Sequence, residues 1–343
     1  MSLPYSNSSD SSQRAVEDWY TVFRDRGIYY AKDEHKTIVN HGASCSEVVG
    51  GILGAGRKIK FLSGIYDLHG LLVNHDNVEL YGVGAELKGG SASALIAQDC
   101  YGLYVHDLIL NSIGILATGS SANGIIRRVT AKNSAGQGIR IEYPAHDWTV
   151  ELSTIQDCYK EGIAIVNRAT SDYYNANCVI RNNALARTGY HAILATGASG
   201  NKILNNTIND AGILRTDGFA HGIAFDGNGG LNPQKSNQAE NNTIVNCRMK
   251  GIESADGSHD VLINNNHVES TGESGVYFGG FLSPSHNCDI TNNFVAAAGW
   301  EGILLENASY VNVKHNTVRN GALNFRKINS ENNIVVEGNS WQL

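Results

Sequence analysis

The sequence predicts an all-β solenoid: a parallel β-helix in which short strands stack coil upon coil. Three observations predict it. Of 343 residues, 38 are Gly, 4 are Pro and 37 are Asn, with 29 of the Asn from residue 172 onward. Gly and Asn are poor helix formers and favour turns. An Asn followed two residues later by an apolar residue recurs at Asn183, Asn206, Asn242, Asn266, Asn293, Asn316 and Asn339, in steps of 23, 36, 24, 27, 23 and 23 residues. A second marker, a small residue before an apolar one, recurs at Gly138, Gly162, Ala192, Gly222, Gly251, Gly275 and Gly302.

The two markers are phased. The distance from Asn to the next small residue is 9 residues in four cases (183 to 192, 242 to 251, 266 to 275, 293 to 302) and 16 once, from 206 to 222. The other half of the repeat varies and so tolerates insertions. A unit of about 23 residues cannot bury an apolar face alone; stacked on its copies about 4.8 Å apart, it can. Asn at equivalent turns would then form a hydrogen-bonded ladder, and Gly would supply sharp bends.

Composition excludes several other classes. Charged residues are 17% and hydrophobic residues 42% of the chain, and the net charge is -7. Disorder needs fewer apolar residues and more charge, and collagen needs a strict three-residue Gly period. No basic clusters point to nucleic acid or anionic membrane, and no long apolar run points to a membrane span. Residues 1–12 are Ser-rich, without the apolar core of a signal peptide.

The six Cys show no CxxC spacing. Four residues before the small-residue markers stand Ser134, Cys158, Thr188, Cys247, Thr271 and Ala298, so Cys158 and Cys247 read as reduced residues packed into a crowded bend. Cys178 and Cys288 share another column, too many coils apart for a disulfide with each other.

Residues 1–37 form an N-terminal segment distinct from a single β-helix domain over 38–343. Within it, apolar residues at 15, 16, 19, 20, 22 and 23 have helical spacing over Ser12 to Gly27. This predicts a helix capping the open edge of the first coil.

Gly-Ile-Xaa-Ile strands alternating with Asn-Asn-Thr-Ile turns resemble the pectin-lyase-like superfamily of right-handed parallel β-helices. The resemblance covers residues 38–343. It implies a right-handed solenoid acting on carbohydrate, because the family includes polysaccharide lyases, uronan C5-epimerases, glycoside hydrolases, tailspikes and adhesins. It also implies an extended polysaccharide as partner, and a secreted or cell-surface location. The repeat carries the fold and leaves the activity open.

Candidate chemistry stands just before the small-residue markers, in the series Gln137, Glu161, His191, His221, Lys250, Ser274, Glu301. Equivalent residues of successive coils are neighbours, so these side chains form one row. Two residues after the marker stand Glu253 and Tyr277, and four after it Asp226, all near the His pair. The lone sixteen-residue spacing inserts Arg215 and Asp217 before His221, and the long segment after Gly162 brings in Tyr173. Long loops on a rigid scaffold commonly form binding walls.

Three activities fit this pattern. The first is β-elimination from an acidic, uronic-acid-containing polysaccharide. It needs a group that neutralises the carboxylate (Arg215 or Lys250), a base (His191 or His221) and an acid (Tyr190 or Tyr277). Glu161, Asp217, Asp226, Glu253, Tyr277 and Tyr173 would contact the glycan. His221-Gly222-Ile223-Ala224-Phe225-Asp226 occupies a setting similar to the Tyr-Gly-Val-Asp-Pro-His-Asp motif of the uronan epimerases, without most of its residues.

The second is hydrolysis by a carboxyl pair drawn from Asp217, Asp226 and Glu253. Thr216-Asp217-Gly218 weakly resembles the Asn-Thr-Asp motif of polygalacturonases. The third is binding without catalysis, as in a tailspike or adhesin. Calcium is compatible with an enzyme or a binder, since carboxylates are available, but no clustered Asp motif marks a site. The sequons at Asn205 and Asn241 fall within the Asn-Asn-Thr turns and read as structural.

Overall fold

The computed structural model describes residues 19–90, 95–167, 174–227, 234–330 and 332–342. Strands of successive coils pair in parallel into a sheet of eleven strands and a larger one of twenty-five, with a small two-stranded sheet beside them. In the eleven-stranded sheet the order runs through Ile139–Glu142, Ile163–Val166, Ile193–Thr196, Ile223–Asp226, Ile252–Ala255, Val276–Gly279 and Glu301–Glu306. The core is a continuous column of Ile, Val, Leu and Ala, nearly all of it solvent-free.

The Asn column is a ladder. At Asn183, Asn206, Asn242, Asn266, Asn293 and Asn316, both the backbone N–H and the side-chain amide donate to Oδ1 of the next ladder Asn, at 2.8–3.1 Å. Each side-chain amide also donates to a main-chain carbonyl of the preceding coil, such as Ile203 for Asn242. The residue before each ladder Asn adopts the left-handed conformation, with φ near 55° at Asn182, Asn205, Asn241, Asn265 and Asn292. Asn tolerates that region better than most residues. This explains the Asn-Asn pairs: the first makes the corner and the second fills the ladder.

The small-residue marker is steric. A Cβ on Gly222 would lie 2.6 Å from the Gly251 carbonyl oxygen and 3.2 Å from Cys247 Sγ. All six Cys are free and buried. Cys158 pairs with Thr188, and Cys247 with Thr271, in the column of small side chains.

The N-terminal end differs from the expected capping helix. Trp19–Asp25 is a strand, paired antiparallel with Ile28–Lys32 and parallel with Lys58–Phe61 of the first coils. The rest of the expected helix, before residue 19, lies outside the described residues. A segment rich in aromatic and β-branched residues favours a strand. As a strand it also satisfies the hydrogen bonds of the open edge, which a helix laid across it would leave unpaired. A six-residue helix, Cys45–Gly50, is N-capped by Ser44 and packs near this end.

Candidate functional site

The predicted row exists. The N–H of each small-residue marker donates to the carbonyl of the row residue one coil further on: Gly162 to His191, Ala192 to His221, Gly222 to Lys250, Gly251 to Ser274, Gly275 to Glu301. The outward columns hold as well: Leu194 pairs with Ala224, Ala224 with Glu253, and Glu253 with Tyr277, while Thr196 pairs with Asp226 and Asp226 with Ala255.

The two imidazoles lie 4.9 Å apart between centroids. His191 Nδ1 accepts the N–H of His221 at 3.2 Å, and His221 Nδ1 accepts the N–H of Lys250 at 3.1 Å. A main-chain donor can point at Nδ1 only if that nitrogen is bare, so each neutral ring carries its proton on Nε2. Burial pushes the His191 pKa down to about 3, and the neighbouring His221 and Lys250 add to the effect. His221 is fully buried, and desolvation, then Lys250 and Arg248, hold it well below the usual imidazole range. Both rings are therefore neutral hydrogen-bond donors. In both histidines expected to serve as base, the bare nitrogen is already engaged by a main-chain N–H.

His221 Nε2 lies 3.2 Å from Glu253 Oε2, without the alignment of a good hydrogen bond. The Lys250 ammonium contacts the same carboxylate and sits 4.4 Å from the centre of the Tyr277 ring. Glu273 stands 3.9 Å from Lys250; its carboxyl is shifted upward chiefly by burial. The Tyr277 hydroxyl donates to Glu306 at 3.1 Å. Burial, then the charge of Glu306, raises its pKa, which makes Tyr277 a poor proton donor to a substrate.

A pocket of about 410 Å³ opens over these coils, lined by His191, Asp226, Lys250, Glu253, Asp256 and Tyr277, with Phe219, Phe281 and Leu282 at its walls. Phe219 is 67% exposed and Phe281 80%. Both loops are clasped. Arg248 donates to the carbonyls of Gly212, Thr216 and Gly218 under the inserted loop. Asp256 Oδ1 accepts from the Leu282 N–H at 2.9 Å, and Asn307 donates to the Gly280 carbonyl at 2.8 Å.

Other expected site residues lie elsewhere. Arg215 is sandwiched between the rings of Tyr159 and Tyr190, 4.5 and 4.6 Å from their centres, and is paired with Asp217. That cluster braces the inserted loop and does not line the pocket. Glu161 continues the row but accepts from Gln137 at 3.0 Å. Tyr173 lies outside the described residues. Sequence reasoning missed Phe219, Phe281, Asp256, Glu273 and Arg248; the signal for the first two was an aromatic residue within a Gly-flanked loop beside the row. Among the described residues, no group of three or more His, Cys, Asp or Glu is placed to hold a metal ion, and no helix is long and apolar enough to cross a membrane.

The model of the right-handed β-helix region matches residues 69–234 and 173–341. The chain belongs to this right-handed β-helix family. No curated protein sequence matches it. Several solved structures share the β-helix. The A-module of the mannuronan C-5 epimerase AlgE6 of Azotobacter vinelandii is 17% identical, with a TM-score of 0.66, covering 83% of this chain and 87% of that one. The catalytic unit of a GH87 α-1,3-glucanase from Streptomyces thermodiastaticus is 14% identical, with a TM-score of 0.69, covering 87% and 66%. The periplasmic alginate epimerase AlgG is 13% identical, with a TM-score of 0.58, covering 84% and 78%. At these identities the likeness is one of fold.

Proposed function

We propose that this β-helix protein is a polysaccharide-processing enzyme whose centre is the pocket over Ile223–Asp226, Ile252–Ala255 and Val276–Gly279, and that it cleaves a glycosidic bond by carboxyl chemistry. One observation carries the reading. Three carboxyls, Asp226, Glu253 and Asp256, share a single pocket walled by two exposed aromatic rings. Aromatic faces suit the apolar faces of sugar rings, and paired carboxyls supply general acid and base.

Asp226 pairs across the sheet with Ala255, so Asp226 and Glu253 are diagonal neighbours on one face. Two carboxyls on one face, able to flank a single glycosidic bond, are the arrangement that hydrolysis uses. Lys250 compensates the charge of Glu253, and the Nε2–H of His191 is a fixed donor for a sugar oxygen. The pocket lining has three carboxyls against one ammonium, an electrostatic balance that favours a neutral glycan over a polyanion. The likeness of fold to an α-1,3-glucanase is in keeping with this.

Elimination from a uronate is the second reading, favoured by the presence of Lys250 beside a donor imidazole. Together they could neutralise a substrate carboxylate, with Glu253 as base. The likeness of fold to mannuronan and alginate epimerases supports it.

Incubation with α-1,3-glucan, alginate, pectate and glycosaminoglycans separates the two. New reducing ends without ultraviolet absorbance mean hydrolysis. A matching rise in the absorbance of unsaturated uronates means elimination. Neither signal on any polymer, with binding retained, would make the protein a lectin-like module.

A further inference from the structure

On another face of the solenoid, one residue in each of eleven successive coils takes the left-handed conformation: Asn77, Gly102, Asn123, Asp147, Asn177, Gly200, Ser236, Asp260, Asn287, Tyr310 and Asn333. Their stacking follows from the coil-to-coil pairing, for example His259 with His286 and His286 with Ser309 just before the last members. Nine of the eleven are Asn, Asp or Gly, the types that tolerate positive φ, and a tenth is the small Ser236. The exception is Tyr310, with φ 53°. Larger side chains take the same conformation at other corners, as at Arg128, Leu152 and Arg187, so what sets Tyr310 apart is an aromatic ring in a column of small polar residues.

The core does not require an aromatic side chain at this corner, because Tyr310 is 57% exposed. Its ring stands in a groove of about 730 Å³ that follows the column along the solenoid axis, lined also by Asp260, Asn287, Asp289, Asn312 and Asn333. The polar groups are fixed in carboxylate–amide pairs: Asn287 donates to Asp260 at 3.1 Å, and Asn312 to Asp289 at 2.7 Å. Asp260 also contacts His259 Nδ1 through Oδ2 at 2.9 Å, while the Asn312–Asp289 pair engages one N–H and one carboxylate oxygen and keeps further hydrogen-bonding capacity. The lining contains two carboxylates and no Lys or Arg.

We infer that this groove is a second glycan-binding site, separate from the pocket, in which Tyr310 stacks on a sugar ring and the Asp–Asn pairs bind hydroxyls. An exposed aromatic face beside rigid planar acceptors and donors matches a pyranose, which has an apolar face and an equatorial rim of hydroxyls. The negative lining selects an uncharged, hydroxyl-rich chain and disfavours polyuronates. A site here would hold a polymer without occupying the catalytic pocket.

Tyr310→Asn tests the site cleanly, since it installs the residue type found in neighbouring coils. The fold is expected to survive with an unchanged or higher melting temperature. In native gels containing soluble α-1,3-glucan, β-1,3-glucan or xylan, at least one polymer should retard the wild-type chain. Tyr310→Asn should weaken that retardation by up to about tenfold, the worth of one stacked ring. Glu253→Gln, in the pocket, should leave a Tyr310-dependent component intact. Retardation unchanged in Tyr310→Asn, or lost only in Glu253→Gln, would overturn the groove site while leaving the pocket reading in place. No retardation of the wild type by any of these glycans would also overturn it.

Discussion

The main-chain N–H of Lys250 donates to Nδ1 of His221 at 3.1 Å, so the stacking of one coil on the next fixes the protonation state of a buried imidazole. The same bond recurs one coil earlier, from His221 to His191. A periodic main-chain pattern thereby sets the chemistry of two side chains, turning them into Nε2–H donors.

This arrangement predicts that neither histidine titrates in the usual range. Nitrogen NMR of selectively labelled protein should show both rings neutral and Nε2-protonated from pH 5 to pH 8 by the ordinary scale of imidazole titration, near 6.5. An imidazolium signal from either ring at pH 6 would contradict the assignment.

Stability should follow from the same shifts. Both pKa values are depressed in the fold, that of His191 to about 3 from 6.5. Below about pH 6.5 the unfolded chain therefore binds protons that the folded chain refuses, so unfolding is favoured as the pH falls towards 3. The contribution is fully present above pH 6.5. Urea midpoints measured between pH 4 and 8 should rise with pH, and His191→Gln should flatten that slope.

Glu253→Gln should lower turnover by about 10²–10⁴-fold, the usual worth of a general acid or base, with the circular dichroism spectrum unchanged. His221→Ala is a poorer probe of mechanism, because His221 is solvent-free and accepts the Lys250 N–H. Its removal leaves a buried donor unpaired at a cost of about 1–3 kcal/mol. It should therefore lower both stability and activity.

Arg248→Ala should act on substrate binding. It removes the donors that hold the carbonyls of Gly212, Thr216 and Gly218, and with them the position of Phe219. KM should rise with a smaller change in kcat, and limited proteolysis should cut within 212–220. An unchanged KM would mean that the loop is held by the Arg215–Tyr190 contact alone.

Asn242→Ala should be strongly destabilising, like the loss of any internal member of the ladder. Asn242 accepts from the N–H and amide of Asn206, and donates to Asn266 and to the Ile203 carbonyl. Stranding several buried groups at once costs roughly 3 kcal/mol or more. Asn241→Gly, at the exposed corner with φ 57°, should cost far less, since Gly adopts that conformation freely. Denaturant midpoints of the two variants check the contrast.

The sequence by itself determined the repeat, the Asn ladder and the row containing His191, His221 and Lys250, because residues one coil apart in a solenoid are neighbours in space. Periodicity in such a fold is a coordinate, and Glu253, Tyr277 and Asp226 could be placed from spacing alone. Tertiary structure decided what periodicity does not encode. At the N-terminus, edge hydrogen bonding won over helical spacing, and Trp19–Asp25 became a strand. Loop packing set Arg215 between two tyrosines, away from the pocket, and brought in Phe219 and Phe281 from segments outside the repeat. The direction of two main-chain N–H groups engaged Nδ1 of both histidines expected to be bases. Loop paths, hydrogen-bond directions and burial depend on the packed whole, and a one-dimensional repeat carries none of them.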